Sequence, residues 1–146
     1  MKKLITICLF MATTFTANAQ TKEETIDWMQ QKLKTYMYYD WFGAEAENVT
    51  INIDECFIFI QYTYSYYEKG KKDATPGFYY KIPTDGVEFK ARRIEMKNNI
   101  QSINDKGHYT NSAAFGIKEG EVNLLERLNK AAAHLATFCP KKKETF

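Results

Sequence analysis

The sequence predicts an α+β fold: an N-terminal helix, a curved and mainly antiparallel sheet or small barrel of five to seven strands, and a C-terminal amphipathic helix. Near both ends of the chain apolar residues recur with the period of a helix, whereas between them apolar and polar residues alternate with the period of a strand. Turns that contain glycine or proline separate several of the alternating segments. Strands grouped between two helices favour this class over a parallel βαβ arrangement.

The first 19 residues predict a secretory signal peptide rather than part of the folded domain. Two lysines and an apolar segment, Leu4–Phe15, precede a small-x-small cleavage site that ends at Ala19. The apolar segment is too short to cross a bilayer as a helix. We therefore expect an exported protein, periplasmic or secreted, that begins at Gln20 after cleavage.

Length and charge predict a single domain over residues 20–146, with a core at about 22–139. The 146-residue chain has the length of one domain. Its net charge of +2 is contributed by Lys2 and Lys3 of the leader, so the remainder is formally neutral. Binding of nucleic acid requires a surplus of cations, so we expect no nucleic-acid partner. Gln20, and not a cysteine, follows the cleavage site, so we also expect no stable membrane anchor.

Two cysteines lie outside the leader, Cys56 and Cys139. Disulfides form and persist in the oxidising compartments that exported proteins enter. The pair forms either a structural disulfide or two separate buried thiols. Sequence does not decide between these alternatives, because it does not show whether the two Cα atoms approach each other closely enough.

The first predicted helix begins after Thr21. This residue forms a capping box with Glu24, because each side chain can accept a hydrogen bond from a free backbone N–H of the first turn. The apolar residues of the helix form one stripe: Ile26, Met29, Leu33, Tyr36 and Met37. Trp28 lies off this stripe, and we expect it to cover a neighbouring element.

A long strand is predicted in the middle of the chain. It follows a shorter strand at Val49–Ile53 and a tight turn at Asp54 and Glu55. One face of the long strand is formed by Cys56, Ile58, Ile60, Tyr62, Tyr64 and Tyr66. Both faces are apolar near its start, so we expect that end to be buried on both sides. A strand of this length is expected to bend or change partner partway, as in a small barrel.

The following segment, Glu68–Gly77, is charged and contains two glycines and a proline, so a loop is predicted there. A change in the phase of alternation near Arg92 and Arg93 indicates a bulge or a break. The other predicted elements are strands at Phe78–Ile82, Val87–Ala91, Ile94–Met96, Ile100–Ile103 and Ala113–Ile117, with turns at Pro83–Gly86 and Asn104–Gly107.

The last predicted helix has the clearest pattern. Asn123 is a predicted N-cap with Glu126 at the third position, and Pro140 ends the helix. Glu126 and Lys130 are expected to pair on the outer surface. The apolar face consists of Leu124, Leu125, Leu128, Ala131, Ala132, Leu135 and Phe138.

This order of elements resembles the pleckstrin-homology-like superfold over Val49–Phe138, in which a C-terminal helix closes an open end of a small curved barrel. The resemblance is architectural and no diagnostic motif accompanies it. The N-terminal helix is an addition to the usual pattern. The main competitor is a helix-grip fold, which wraps a curved sheet around a long helix and a lipid cavity. That fold places two helices after its first strand, and the sequence does not predict them.

The sequence contains no motif specific to a reaction, and we expect no enzyme, no cofactor and no metal site. The histidines are His108, expected at the surface, and His134, expected at the boundary of the last helix. A hydrolase that uses one of them with an unrecognised partner is the enzymatic alternative. A zinc site formed by His134, Cys139 and Cys56 would be a distorted set of three ligands.

A possible binding face is formed by aromatic residues: Trp41, Phe42, Tyr62, Tyr64 and Tyr66. Tyrosine combines an apolar ring with a polar tip, which suits binding surfaces. Tyrosine is also a good strand former whose hydroxyl reaches water at the margin of a sheet. The function predicted first is a small exported, non-enzymatic binding or interaction module with an unknown protein or small apolar ligand as partner. The alternative is a carrier of a small apolar ligand or lipid between the sheet and the C-terminal helix.

Overall fold

The α+β class and the two terminal helices are confirmed. The computed structural model describes residues 20–39, 45–68, 71–97, 102–103 and 109–140. The helices are α1 (Lys22–Tyr36) and α2 (Leu124–Phe138). The strands of the described residues are β1 (Met37–Tyr39), β2 (Glu45–Ile53), β3 (Phe57–Glu68), β4 (Lys71–Pro83), β5 (Val87–Phe89), β6 (Ile94–Met96), β7 (Ser102–Ile103), β8 (Tyr109–Thr110), β9 (Ser112–Ala113) and β10 (Phe115–Ile117).

These strands form three sheets, and every pairing is antiparallel. The largest has the order β2-β3-β4-β7-β8, the second has the order β5-β6-β9, and β1 pairs with β10 alone. The described residues contain ten strands where the sequence predicted five to seven, because several of the ten are pieces of only two or three residues. The additional strands are β1 and β8, which were not predicted, and the predicted strand Ala113–Ile117 is divided between β9 and β10.

Helix α1 begins as predicted, with a complete capping box. The Thr21 hydroxyl accepts a hydrogen bond from the Glu24 N–H at 3.1 Å, and the Glu24 carboxylate accepts one from the Thr21 N–H at 2.9 Å. Met29 and Leu33 of the predicted stripe are fully buried. Trp28 contacts α2, where the Arg127 guanidinium lies 4.9 Å from its ring centroid.

The turn between β2 and β3 is held by one aspartate. The Asp54 carboxylate accepts hydrogen bonds from the N–H groups of Cys56 and Phe57, at 2.8 and 2.6 Å. Such bonds from a side chain to the backbone two or three residues on stabilise a turn without glycine. Thr84 binds the same turn, because its hydroxyl donates to the Glu55 carbonyl at 2.7 Å. The turn predicted here is confirmed.

The loop predicted at Glu68–Gly77 is wrong, because β4 already begins at Lys71. In the pairing of β3 with β4, Pro76 and Gly77 together lie opposite the single residue Thr63. This is a β-bulge, a place where a sheet accepts a proline that cannot donate to the ladder. The composition of the segment therefore marks an irregular strand and not a loop.

A second bulge lies at the same level of β3, on its other side. Asn48 and Val49 of β2 together oppose Tyr62, and Asn48 has a positive φ of 53°. The Asn48 amide donates to the Thr63 hydroxyl at 3.1 Å, and that hydroxyl donates to the Glu47 carbonyl at the same distance. Bulges increase twist and bend the strand that carries them. Both neighbours of β3 are thus irregular at one level, partway along the long strand.

The start of β3 is buried on one face only, so the expectation of burial on both faces is wrong. Ile58 and Ile60 are fully buried, whereas Phe57 and Phe59 are half-buried. The Lys81 ammonium lies 3.9 Å from the centroid of the Phe57 ring. A long lysine side chain covers apolar rings in this way while its charge remains in water.

Helix α2 packs its predicted apolar face into the core, with two corrections at its ends. Asn123 has a left-handed backbone with φ of 57° and makes no capping hydrogen bond through its side chain. Side-chain capping requires an extended backbone at this position. Phe138 is 43 % exposed, although its spacing assigns it to the apolar face. Its ring packs edge-on against that of His134, one turn earlier, with the ring centroids 5.0 Å apart. The predicted pair of Glu126 with Lys130 is present at 2.6 Å.

A polar clamp attaches α2 to β5. The Asn129 amide oxygen accepts from the Phe89 N–H at 2.8 Å, and its nitrogen donates to the Phe89 carbonyl at 3.3 Å. Both polar groups of an asparagine side chain are thereby satisfied beside the core. The clamp fixes the orientation of the helix on the three-stranded sheet.

Cys56 and Cys139 form a disulfide, with their Cα atoms 4.9 Å apart. Of the two alternatives for this pair, the bridge is therefore the one observed. It joins the turn before β3 to the residue that ends α2. The C-terminal helix is thus covalently tied to the central sheet.

Gly116 lies where a side chain does not fit, and we expect Gly116→Ala to lower the free energy of unfolding by about 1–3 kcal/mol. A Cβ atom there would lie 2.3 Å from the Ala91 carbonyl oxygen and 2.7 Å from the Tyr38 ring. Urea denaturation measures the change. Gly120→Ala is the comparison, because the three atoms nearest to its new Cβ all belong to the Tyr36 side chain and none to the backbone. A loss at Gly120 larger than at Gly116 would contradict the role of the backbone contact.

Candidate functional site

The candidate site is an open groove of about 430 Å³ between the end of α1, the short strand β1 and the edge strand β2. We call it the α1–β2 groove. Its volume lies within the range typical of small-molecule sites, about 300–1,000 Å³. Most of its lining is apolar or aromatic, including Leu33, Met37, Tyr39, Val49, Ile51 and Phe115.

The bulge in β2 creates one wall of the groove. Without it, strict alternation would place Ala46 on the face of the strand opposite to Val49 and Ile51. The extra residue at Asn48 shifts the phase, and all three apolar residues line the groove. Ile51 is fully buried and Val49 is 40 % exposed, so this wall runs from the core to the surface.

An aromatic cluster forms the floor. The ring centroid of Phe115 lies 5.2 Å from that of Tyr39 and 4.9 Å from that of Tyr62. Tyr80 stacks on Tyr62, with centroids 6.0 Å apart, and its ring centroid lies 6.2 Å from that of Phe115. Burial raises the pKa of the Tyr62 hydroxyl above its ordinary value, and Tyr80 and Tyr39 raise it further. The raised pKa keeps the Tyr62 hydroxyl neutral, so the aromatic floor carries no charge.

Tyr38 forms a second wall of the groove, and a residue outside the groove holds its ring in place. The Tyr38 hydroxyl donates to the Ala91 carbonyl at 2.9 Å, which holds its ring across Gly116. Strand β1 itself pairs with β10, so that Tyr39 lies opposite Phe115. The groove is thus preformed by backbone pairing and by one tyrosine hydrogen bond.

Two lysines provide the charge of the groove. Lys34 lies in the last turn of α1, and Lys118 directly follows β10. The Lys118 N–H donates to the Tyr36 carbonyl at 2.8 Å, which places it beside the end of α1. Both side chains are exposed, and neither forms an ion pair with any residue that the structure describes. No carboxylate occurs among the described residues that line the groove.

The residues of the predicted binding face are only partly placed. Trp41 and Phe42 lie outside the described residues, and for Tyr64 and Tyr66 the structure describes the backbone alone. The Tyr64 backbone pairs with that of Ala46, which lines the groove. Tyr62 is 3 % exposed, so this member of the predicted binding face lies in the core. Strands β1 and β10 place Tyr39 and Phe115 over it.

The histidines form no catalytic arrangement that the structure describes. His108 lies outside the described residues. The His134 Nε2–H donates to the Gln20 carbonyl at 2.8 Å, and its ring contacts Phe138. The described residues contain no cluster of metal ligands, and the two cysteines considered with His134 are bonded to each other. No helix in the described ranges has the length and hydropathy required to cross a membrane.

Sequence reasoning did not find the two lysines or Phe115 as site residues. Lys34 and Lys118 come from distant parts of the chain, and only the pairing of β1 with β10 brings them to one groove. The sequence-based alternative placed a ligand pocket against α2. Leu128, Ala132 and Leu135 of that helix are fully buried in the core, and the groove adjoins α1 instead.

Comparisons with family models, with curated proteins and with solved structures found no match to the chain. The resemblance to the pleckstrin-homology-like superfold therefore stays a prediction.

Proposed function

We propose that this protein is a small exported, non-enzymatic binding module that holds an anionic amphiphile in the α1–β2 groove. The observation that carries the proposal is a groove lined mostly by apolar and aromatic residues, with two unpaired lysines and no lining carboxylate among the described residues. An apolar body is removed from water by the aromatic floor. A carboxylate or similar anion forms charge-assisted hydrogen bonds with lysine ammonium groups.

Two features support export. The first 19 residues have the layout of a signal peptide. The disulfide between Cys56 and Cys139 belongs to the chemistry of oxidising compartments. The groove would then encounter ligands of the periplasm or of the medium.

Laurate tests the proposal, because it combines a simple apolar chain with one carboxylate. Isothermal titration calorimetry of the purified exported protein is expected to show saturable binding of laurate below its micelle concentration. Dodecyltrimethylammonium has the same chain length and the opposite charge, and we expect it to bind at least about tenfold more weakly, a difference of about 1.4 kcal/mol. Equal affinity for the two compounds would contradict a role for the lysines, and no binding of either would contradict the function.

Reversing both charges is expected to weaken laurate binding on the order of tenfold. The double variant Lys34→Glu/Lys118→Glu removes two attractions at partly solvated positions and adds two repulsions, each worth about 0.2–1 kcal/mol. Lys97→Glu is the matched control, since Lys97 is exposed and does not line the groove. Equal losses in the double variant and the control would contradict the site, and circular dichroism establishes that each variant is folded.

A further inference from the structure

A second cavity, of about 440 Å³, lies where the described chain begins, and we call it the amino-terminal cleft. It is lined by Gln20, Trp28, Arg127, Lys130, Ala131 and His134. Gln20 is exposed, and its backbone carbonyl accepts the hydrogen bond from His134 at 2.8 Å. This contact attaches the residue before the N-cap of α1 to the surface of α2.

We propose that Gln20 is a modification site: once cleavage after Ala19 makes it the first residue, its side chain and α-amine close into a pyroglutamate lactam. The inference rests on the export proposed above. The neutral α-amine nitrogen attacks the amide carbon Cδ, so that a new N–Cδ bond forms. The bond from Cδ to the side-chain nitrogen breaks, and that nitrogen leaves as ammonia with the proton that the amine loses. No oxidant, reductant or further reactant is consumed.

The contacts that hold this end of the chain use none of the reacting atoms. His134 binds the backbone carbonyl of Gln20, and the next N–H, that of Thr21, is bound by the Glu24 carboxylate. Both groups persist in the lactam. The Gln20 side chain forms no hydrogen bond with any described residue, so the amide remains free to meet the amine. Holding two reacting groups in one residue removes the entropic cost of bringing them together.

Charge favours the product over the open amine. A terminal ammonium at Gln20 would lie beside the positive end of the α1 dipole and in a cleft with Arg127 and Lys130. Glu121, 3.0 Å from Arg127, and Glu126, 2.6 Å from Lys130, offset part of that cationic charge. The nearby Glu24 carboxylate is already bound to the Thr21 N–H. The lactam is neutral, so its formation removes the repulsion while the capping box remains intact.

Peptide mapping of the protein purified from an exporting host tests the inference. We expect the N-terminal peptide to begin at Gln20, to be lighter by one ammonia than the unmodified peptide, and to resist Edman degradation until pyroglutamyl aminopeptidase opens it. Gln20→Asn is the control. It keeps the backbone carbonyl for His134, but its shorter side chain would require a four-membered ring, so its N-terminus is expected to stay open.

The outcomes separate the two proposals. A peptide that begins at Gln20 and has the mass of the unmodified sequence overturns the modification and leaves the proposed export intact. A peptide that begins at any other residue overturns the cleavage site and the modification together. An N-terminus of the Gln20→Asn variant that also resists Edman degradation would show that the block does not arise from lactam closure of the Gln20 side chain, which also overturns the inference.

Discussion

Replacing both Cys56 and Cys139 with alanine is expected to lower the free energy of unfolding by about 4–5 kcal/mol, because the bridge closes a long loop in the unfolded chain. The two residues are 83 positions apart. Their bond joins the turn before β3 to Cys139, the residue that follows α2. Without the bond, the unfolded chain can adopt many more conformations. Urea denaturation followed by circular dichroism measures the difference.

Reduction supplies the matched control for this experiment. Wild-type protein unfolded in the presence of dithiothreitol is expected to match the double alanine variant, and the variant is expected to be insensitive to the reductant. A variant within about 1 kcal/mol of the oxidised wild type would contradict the chain-entropy argument. A reductant effect on the variant itself would mean that the measured loss does not come from this bond.

The features predicted correctly from the sequence are those that depend on neighbouring residues. The capping box of Thr21 and Glu24 acts within one turn. The buried face of α2 follows from helical spacing alone, and its residues from Leu124 to Leu135 are placed as predicted. Phe138 belongs to the same stripe by spacing, yet it is exposed, because it packs on His134 beyond the end of the core. The spacing of apolar residues identifies which face of a helix is buried, but it does not show where along the helix that burial ends.

The features missed depend on partners distant in sequence. Pro76 and Gly77 have the composition of a loop, and only their position opposite Thr63 shows that the segment is a bulged strand. The phase shift at Asn48 likewise depends on pairing with β3 and determines which side chains of β2 reach the groove. Neither bulge can be located without knowing the register.

The candidate site has the same limitation. Alternation correctly assigns Tyr62 to the face of β3 that includes Ile58 and Ile60. What covers that face is set by strand β1 pairing with β10, two elements from opposite ends of the domain. That pairing buries Tyr62 and leaves the groove beside it. The aromatic composition thus predicted a binding face only in general terms, and the position of the candidate groove depends on contacts that no local pattern records.

Phe115→Ala is expected to lower the free energy of unfolding by about 3–5 kcal/mol, the range for removal of a fully buried phenylalanine ring. Phe115 is 1 % exposed, and it packs at 4.9 to 6.2 Å, centroid to centroid, against three tyrosine rings. Removing it leaves a cavity under the α1–β2 groove and deprives Tyr62 of its edge-on contact. Chemical denaturation with tyrosine fluorescence and near-ultraviolet circular dichroism follows both the stability and the aromatic packing.

Phe138→Ala is the matched control, since the same ring is deleted from a position that is 43 % exposed. Its loss is expected to remain below about 1 kcal/mol, because substitutions at the surface rarely cost more. Both variants lose the same ring, so the difference between their losses in free energy of unfolding measures the contribution of burial. Equal losses would mean that Phe115 is not the centre of the aromatic floor, and the argument for a preformed groove would lose its structural basis.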